Sequence, residues 1–169
     1  KRVQIINLLV EGNSIRGTAR LADVSKTTVL KLLIESGKAC MNYHNKMIKN
    51  LTCKRVECDE IWSFVHNKYK DQFQKRDSGG DIWTWVAIDP DTKLVISWFV
   101  GNRDEYAADF FLRDLSTRVD GYIQISSDAF KAYSEAAERY FDGRADYGQV
   151  FKEKKDTPSK RKSKRKYHV

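Results

Sequence analysis

The 169 residues suffice for one medium domain, or for one small and one medium domain. Hydrophobic residues make up 41%, including 8 Phe, 8 Tyr and 4 Trp, and only 2 Pro and 9 Gly are present, which excludes a disordered or fibrous chain. The net charge of +8 is uneven: residues 1–50 hold 9 Lys and Arg against 3 Asp and Glu, residues 51–151 hold 13 against 18, and residues 152–169 hold 9 against 2.

In the basic head, Val3, Ile6, Leu9 and Val10 recur at helical spacing, and Gly12 ends that helix. Ser14 is an N-cap for a second helix over about Ile15 to Ala22. After Asp23-Val24-Ser25, Ser25 caps a third helix from about Lys26 to Ile34, with Val29, Leu32 and Leu33 inward and Ser36-Gly37 closing it. Two short helices around a three-residue turn match a helix-turn-helix. Ala19 is small where the helices approach, and Val24 plugs the turn. The exposed face of the third helix then offers Lys26, Thr27, Thr28 and Lys31 to phosphates and base edges of double-stranded DNA. A plain three-helix bundle is the bland alternative. Residues 1–37 thus form the module, and residues 38–54 read as a basic linker.

The acidic middle, residues 55–151, reads as a second domain. Arg55 to Val65 is a strand, and residues 66–80 form a loop ending in Ser78-Gly79-Gly80. Asp81 to Ile88 and Leu94 to Val100 are strands joined by the turn Asp89-Pro90-Asp91-Thr92, which makes them an antiparallel hairpin. A helix from Asp104 or Glu105 to about Arg118 carries the stripe Ala107, Phe110, Phe111, Leu112 and Leu115. Tyr122 to Ser126 is a fourth strand, parallel to the first, and a helix runs from about Ala129 to Tyr140. The fold class is therefore α/β: a helix-turn-helix module plus a ribonuclease H-like mixed sheet in the order β-β-β-α-β-α, incomplete at its C-terminus.

Asp59 lies inside the first strand, and Asp128 just past the end of the fourth. A carboxylate in a central strand is costly unless something binds it. Two facing carboxylates repel, and a divalent cation resolves the repulsion; magnesium prefers such oxygens together with water and phosphate. Two such ions about 4 Å apart can activate a water or a DNA 3′-hydroxyl. The bland alternatives are a solvent-exposed Asp59 and an Asp128 that caps the next helix. Strand alternation points Glu60 to the other face.

Cys40, Cys53 and Cys58 contain no Cys-x-x-Cys pair and make no disulfide framework, so reduced thiols and no zinc site are expected. No apolar run reaches the roughly 20 residues of a membrane span. The chain begins with Lys, from which a missing upstream piece is expected.

Five ordered stretches carry a resemblance: CDEIWSFV (58–65), DIWTWVAID (81–89) with TKLV (92–95), VGNRD (100–104), SSDAFKAY (126–133) and DYGQV (146–150). They resemble the transposases of the insertion-sequence-one family. The resemblance implies an Asp-Asp-Glu triad that cuts and rejoins DNA strands with Mg2+ or Mn2+, acting as a homo-oligomer on element terminal repeats and target DNA. It also implies a prokaryotic, cytoplasmic and nucleoid-associated protein. Asp59 matches the first acid and Asp128 the second. The family's third acid, in a motif like Val-Glu-Arg-x-Asn, has no match here, and Glu153 in FKEKKD does not fit it. The competing expectation is a catalytically incomplete fragment that acts only as a DNA-binding protein or repressor. The basic tail at 152–169 offers Lys160, Arg161, Lys162, Lys164, Arg165 and Lys166 to DNA phosphates.

Overall fold

A computed structural model describes residues 1–65 and 80–150. The expected loop at 66–79, the basic tail with Lys160, Arg161, Lys162, Lys164, Arg165 and Lys166, and Glu153 lie outside the described residues. The described residues hold five helices and one five-stranded mixed sheet, an α/β architecture. None of these helices is long and apolar enough to cross a membrane. The described residues divide into two compact units: residues 1–53 with 114–121, and residues 54–65, 80–113 and 122–150.

The first unit contains α1 (Arg2–Val10), α2 (Ile15–Ala22) and α3 (Lys26–Met47). Ser14 Oγ accepts from the Gly17 N–H at 3.0 Å, and Ser25 Oγ accepts from the Thr28 N–H at 3.1 Å, so both serines cap as expected. Between them Asp23 adopts the left-handed region at φ 50°, which lets the chain reverse within three residues. Ile5, Ala19, Ala22, Val29 and Leu32 form the core, with Ile6, Leu9, Ile15 and Val24 packed against it. Alanine at Ser25 is expected to cost about 1 kcal/mol, read as a lowered midpoint in urea unfolding.

Three expectations for this unit need correction. The stripe of α1 is rotated: Ile5 is buried, whereas Val3 and Val10 are exposed. VQIINLLV is apolar at six of its eight positions, so its period does not select a face. Leu33 is also exposed. Ser36-Gly37 does not end α3, which continues ten residues further and takes up most of the expected linker. An interior Gly costs a helix only about 1 kcal/mol relative to Ala, and Lys38, Ala39, Met41 and Lys46 beyond it are good helix formers. The end of α3 is tied down by Arg118, which donates to Asn45 Oδ1 at 2.7 Å and to the Ile48 carbonyl at 3.2 Å. Leu51 also pairs with Val119, which explains why residues 114–121 group with the first unit.

The second unit contains β1 (Arg55–Val65), β2 (Gly80–Ile88), β3 (Val95–Gly101), α4 (Glu105–Ser116, whose last turn groups with the first unit), β4 (Ile123–Asp128), α5 (Ala132–Phe141) and β5 (Ala145–Val150). The sheet order is β3-β2-β1-β4-β5. The pairs β1–β2 and β2–β3 are antiparallel, while β1–β4 and β4–β5 are parallel. The hairpin turn is held by Asp89, which accepts from Thr92 Oγ1 at 2.7 Å and from the Asp91 N–H at 2.9 Å. The Thr92 bond, the larger cause, holds the Asp89 carboxyl below its ordinary range.

Strand alternation gives β1 one buried and one open side. Val56 and Cys58 are buried, whereas Glu57 and Asp59 are exposed. On the buried side Trp85 is fully enclosed, with the rings of Tyr133, Phe111 and Phe130 at 5.4, 5.8 and 6.0 Å. Its indole N–H donates to the Asn102 carbonyl at 3.0 Å, so the largest core side chain leaves no buried donor unsatisfied. Two boundaries differ from expectation: Asp128 is the last residue of β4 rather than beyond it, and α5 begins at Ala132. Phe110 of the expected α4 stripe is exposed, with Ala108 buried in its place. Strand β5 was not expected, because Ala, Asp and Gly are poor strand formers and the segment holds only two strong ones, Tyr147 and Val150.

Candidate functional site

The register of β1 against β4 places the two expected acids. Glu57 pairs with Ser126, the last paired step of this parallel ladder. Two residues beyond that step on each strand come Asp59, on the open side of β1, and Asp128, whose side chain turns to Arg103. The sheet therefore puts them on neighbouring strands, the pairing expected from the sequence. Asp59 is exposed, and its Oδ1 accepts from the Glu60 N–H at 2.8 Å. The expected burial cost therefore does not apply to Asp59. It applies to Glu60, whose side chain is only 2% exposed.

Glu60 meets Arg103, a residue to which the sequence alone assigns no role. Arg103 Nε donates to Glu60 Oε2 at 3.1 Å, and its Nη2 donates to Asp128 Oδ2 at 2.9 Å. The guanidinium lies over the Phe130 ring at 4.2 Å and near Trp83 at 5.5 Å. The signal that could have found it is alternation itself: a carboxylate on the Val56–Cys58 side of a central strand needs a cation, and Arg103 follows β3 in the same unit.

Asp128 is held by its own turn as well as by Arg103. Its Oδ1 accepts from the Phe130 N–H at 3.0 Å, the local turn that a short carboxylate makes with its own backbone. Gln149 Nε2 donates to the Phe130 carbonyl at 3.3 Å, so β5 braces the same turn. The neighbouring Ser127 Oγ and the Tyr147 hydroxyl are 2.7 Å apart, and burial pushes the Tyr147 phenol up. The side chain of Asp128 remains 41% exposed.

Carboxylate oxygens on adjacent strands are the donors that magnesium and manganese take, and the open side chain of Asp59 leaves space for coordinated water. In donor chemistry the pair fits such an ion. Among the described residues no group of three or more His, Cys, Asp or Glu is arranged to hold a metal. Of the bland alternatives, solvent exposure holds for Asp59, whereas Asp128 does not cap α5, whose N-cap is Lys131, and instead bonds the backbone of its own turn.

The chain matches no family model and no curated protein sequence.

Beneath the acids, burial pushes the Cys58 thiol well up, and the charges of Glu60 and Asp59 add to the shift. Burial likewise raises the Tyr133 phenol, with Cys58 and Glu60 contributing. Both groups stay neutral through the physiological range. Alkylation by iodoacetamide at pH 8 is expected to label exposed Cys40 within minutes and Cys58 only after denaturant is added. Peptide mass mapping would show the order, and prompt labelling of Cys58 in the folded chain would contradict this core.

On the first unit, Lys26, Thr27, Thr28 and Lys31 are all exposed on α3, as expected. The Thr28 hydroxyl is engaged, 2.8 Å from Ser25 Oγ, and so belongs to the cap. Arg16 and Arg20, absent from the residues expected to meet DNA, line an open depression together with Ser25 and Lys26 at the start of α3. Their i,i+4 spacing on α2 was the available signal.

Proposed function

We propose that this chain is a DNA transposase of the Asp-Asp-Glu type, with a helix-turn-helix module ahead of a ribonuclease H-like catalytic core. The observation that supports the reading is the parallel pairing of β1 with β4, the strands that carry Asp59 and Asp128 two residues past the last paired step. The five ordered motif stretches and the basic three-helix unit support it.

In this reading α3 lies in a major groove. Lys26, Thr27 and Lys31 face phosphates and base edges, and Arg16 and Arg20 contact the flanking backbone. The N-terminus of α3 adds its partial positive charge toward a phosphate. Asp59 and Asp128 hold Mg2+ or Mn2+. When bound, the metal activates the attacking hydroxyl and stabilises the leaving oxygen at phosphorus. Because strand ends must be held together for joining, the chain acts as a homo-oligomer on element ends and target DNA.

The test is a strand-joining assay on duplex DNA carrying the sequences that flank the encoding gene, with Mg2+ present or chelated. Joined products that depend on Mg2+ are expected. A second reading, a DNA-binding protein or repressor without catalysis, is favoured because no group of three or more His, Cys, Asp or Glu among the described residues is arranged to hold a metal. Tight, specific binding with no joining in either metal would establish that second reading. In either case, alanine at both Lys26 and Lys31 is expected to weaken duplex binding. The slope of log affinity against log salt should fall by about 0.9 for each phosphate that is no longer neutralised, measured by fluorescence anisotropy.

A further inference from the structure

We propose that Arg103 is a positioning residue that presets the Asp128 carboxylate for a divalent cation by tying it to the buried Glu60. The inference rests on the cation-site reading above and adds a residue to it. Arg103 is itself fixed from both sides. The preceding carbonyl, that of Asn102, accepts from the Trp85 indole, and the following residue, Asp104, caps α4 by accepting from the Ala107 N–H at 2.9 Å. Its guanidinium rests on the Phe130 ring. Glu60 cannot follow a moving partner, because its side chain is 98% enclosed among core groups. Glu60 Oε1 and the neighbouring Tyr133 hydroxyl are both buried without a well-formed hydrogen bond among the described residues. The Arg103 bond at Oε2 holds Glu60, with the Tyr133 hydroxyl beside it.

One planar fork thus spans an immobile anion below and a half-exposed one above. With Oδ1 on the Phe130 N–H and Oδ2 on Arg103 Nη2, both oxygens of Asp128 are directed before any cation arrives. Each oxygen keeps a further lone pair for metal. Lysine cannot reproduce the arrangement, since a single ammonium on a flexible stem does not bridge two fixed carboxylates with the same geometry. Hydrogen-bond partners of metal-binding side chains typically govern affinity by about 10- to 100-fold.

The experiment is a Mn2+ titration of the full chain by calorimetry, with melting temperature recorded for each variant. Arg103→Lys keeps the charge opposite Glu60 and is expected to bind Mn2+ about 10- to 100-fold more weakly with little change in melting. Should that variant fail to fold, Glu60→Leu combined with Arg103→Met decides, because apolar replacement of a buried pair commonly preserves stability. It too is expected to lose Mn2+ affinity. Unchanged or tighter Mn2+ binding in the folded variant would overturn the positioning role. Asp59→Asn and Asp128→Asn run alongside. If both weaken Mn2+ binding while the Arg103 variants bind like the parent chain, only the role of Arg103 is wrong. If neither weakens it, the cation site is wrong, and the role of Arg103 falls with it.

Discussion

Asparagine at Asp59 or at Asp128 is expected to abolish Mg2+-dependent strand joining while leaving the fold intact. Each change removes one negative charge from the pair that the sheet carries on neighbouring strands, and an amide oxygen binds a hard divalent ion far more weakly. A loss of about a hundred- to a thousandfold is expected, the scale of deleting one charge-stabilising group at a catalytic centre. Stability should hardly move. Asp59 is exposed and makes only a bond to the next backbone N–H, so its replacement lies within about 0.5 kcal/mol. Asp128 also loses its charge opposite Arg103, but that pair is part-exposed, and its loss costs about 1 kcal/mol at most. Joining rates and thermal melts on the same preparations would check the split. A variant that joined at the parent rate would remove its residue from the site.

Trp85→Ala is the second large effect, and here stability carries it. The indole is fully enclosed, touches the rings of Tyr133, Phe111 and Phe130, and pins the Asn102 carbonyl next to Arg103. Truncation of a large aromatic in such a setting costs about 3–5 kcal/mol, a large fraction of the roughly 5–15 kcal/mol that holds an ordinary domain together. Urea denaturation should show an early transition. It should also show loss of Mn2+ affinity in whatever fraction stays folded, because the loop that carries Arg103 is freed. A midpoint close to that of the parent chain would mean that Trp85 is not the centre of the core.

How far the sequence could be read depended on the kind of signal. Local chemistry read well: Ser14 and Ser25 cap where they stand, and the Asp89–Thr92 turn closes the hairpin. Richness in strand formers located β1 to its end residues, and the long crossover through α4 implied a parallel β1–β4 pair. That pairing puts Asp59 and Asp128 on neighbouring strands. Signals that need a third dimension were lost. The face of α1 is ambiguous because nearly every position is apolar, and Gly37 reads as a stop although an interior glycine is only mildly unfavourable. β5 has weak strand composition and is stabilised by pairing with β4 rather than by its own residues. Arg103 was invisible for a related reason: it meets Glu60 and Asp128 across 43 and 25 residues of sequence, and no periodicity encodes that meeting. The burial argument applied to Asp59 was sound physics at the wrong residue; one step along the strand, Glu60 carries the burial and has the cation it requires.

The most direct measurement is anomalous scattering from crystals of the full chain grown with Mn2+. The account predicts a peak with an oxygen of Asp59 and an oxygen of Asp128 both at roughly 2 Å from it. Mn2+ bound by one of these carboxylates alone, or by neither, would contradict it.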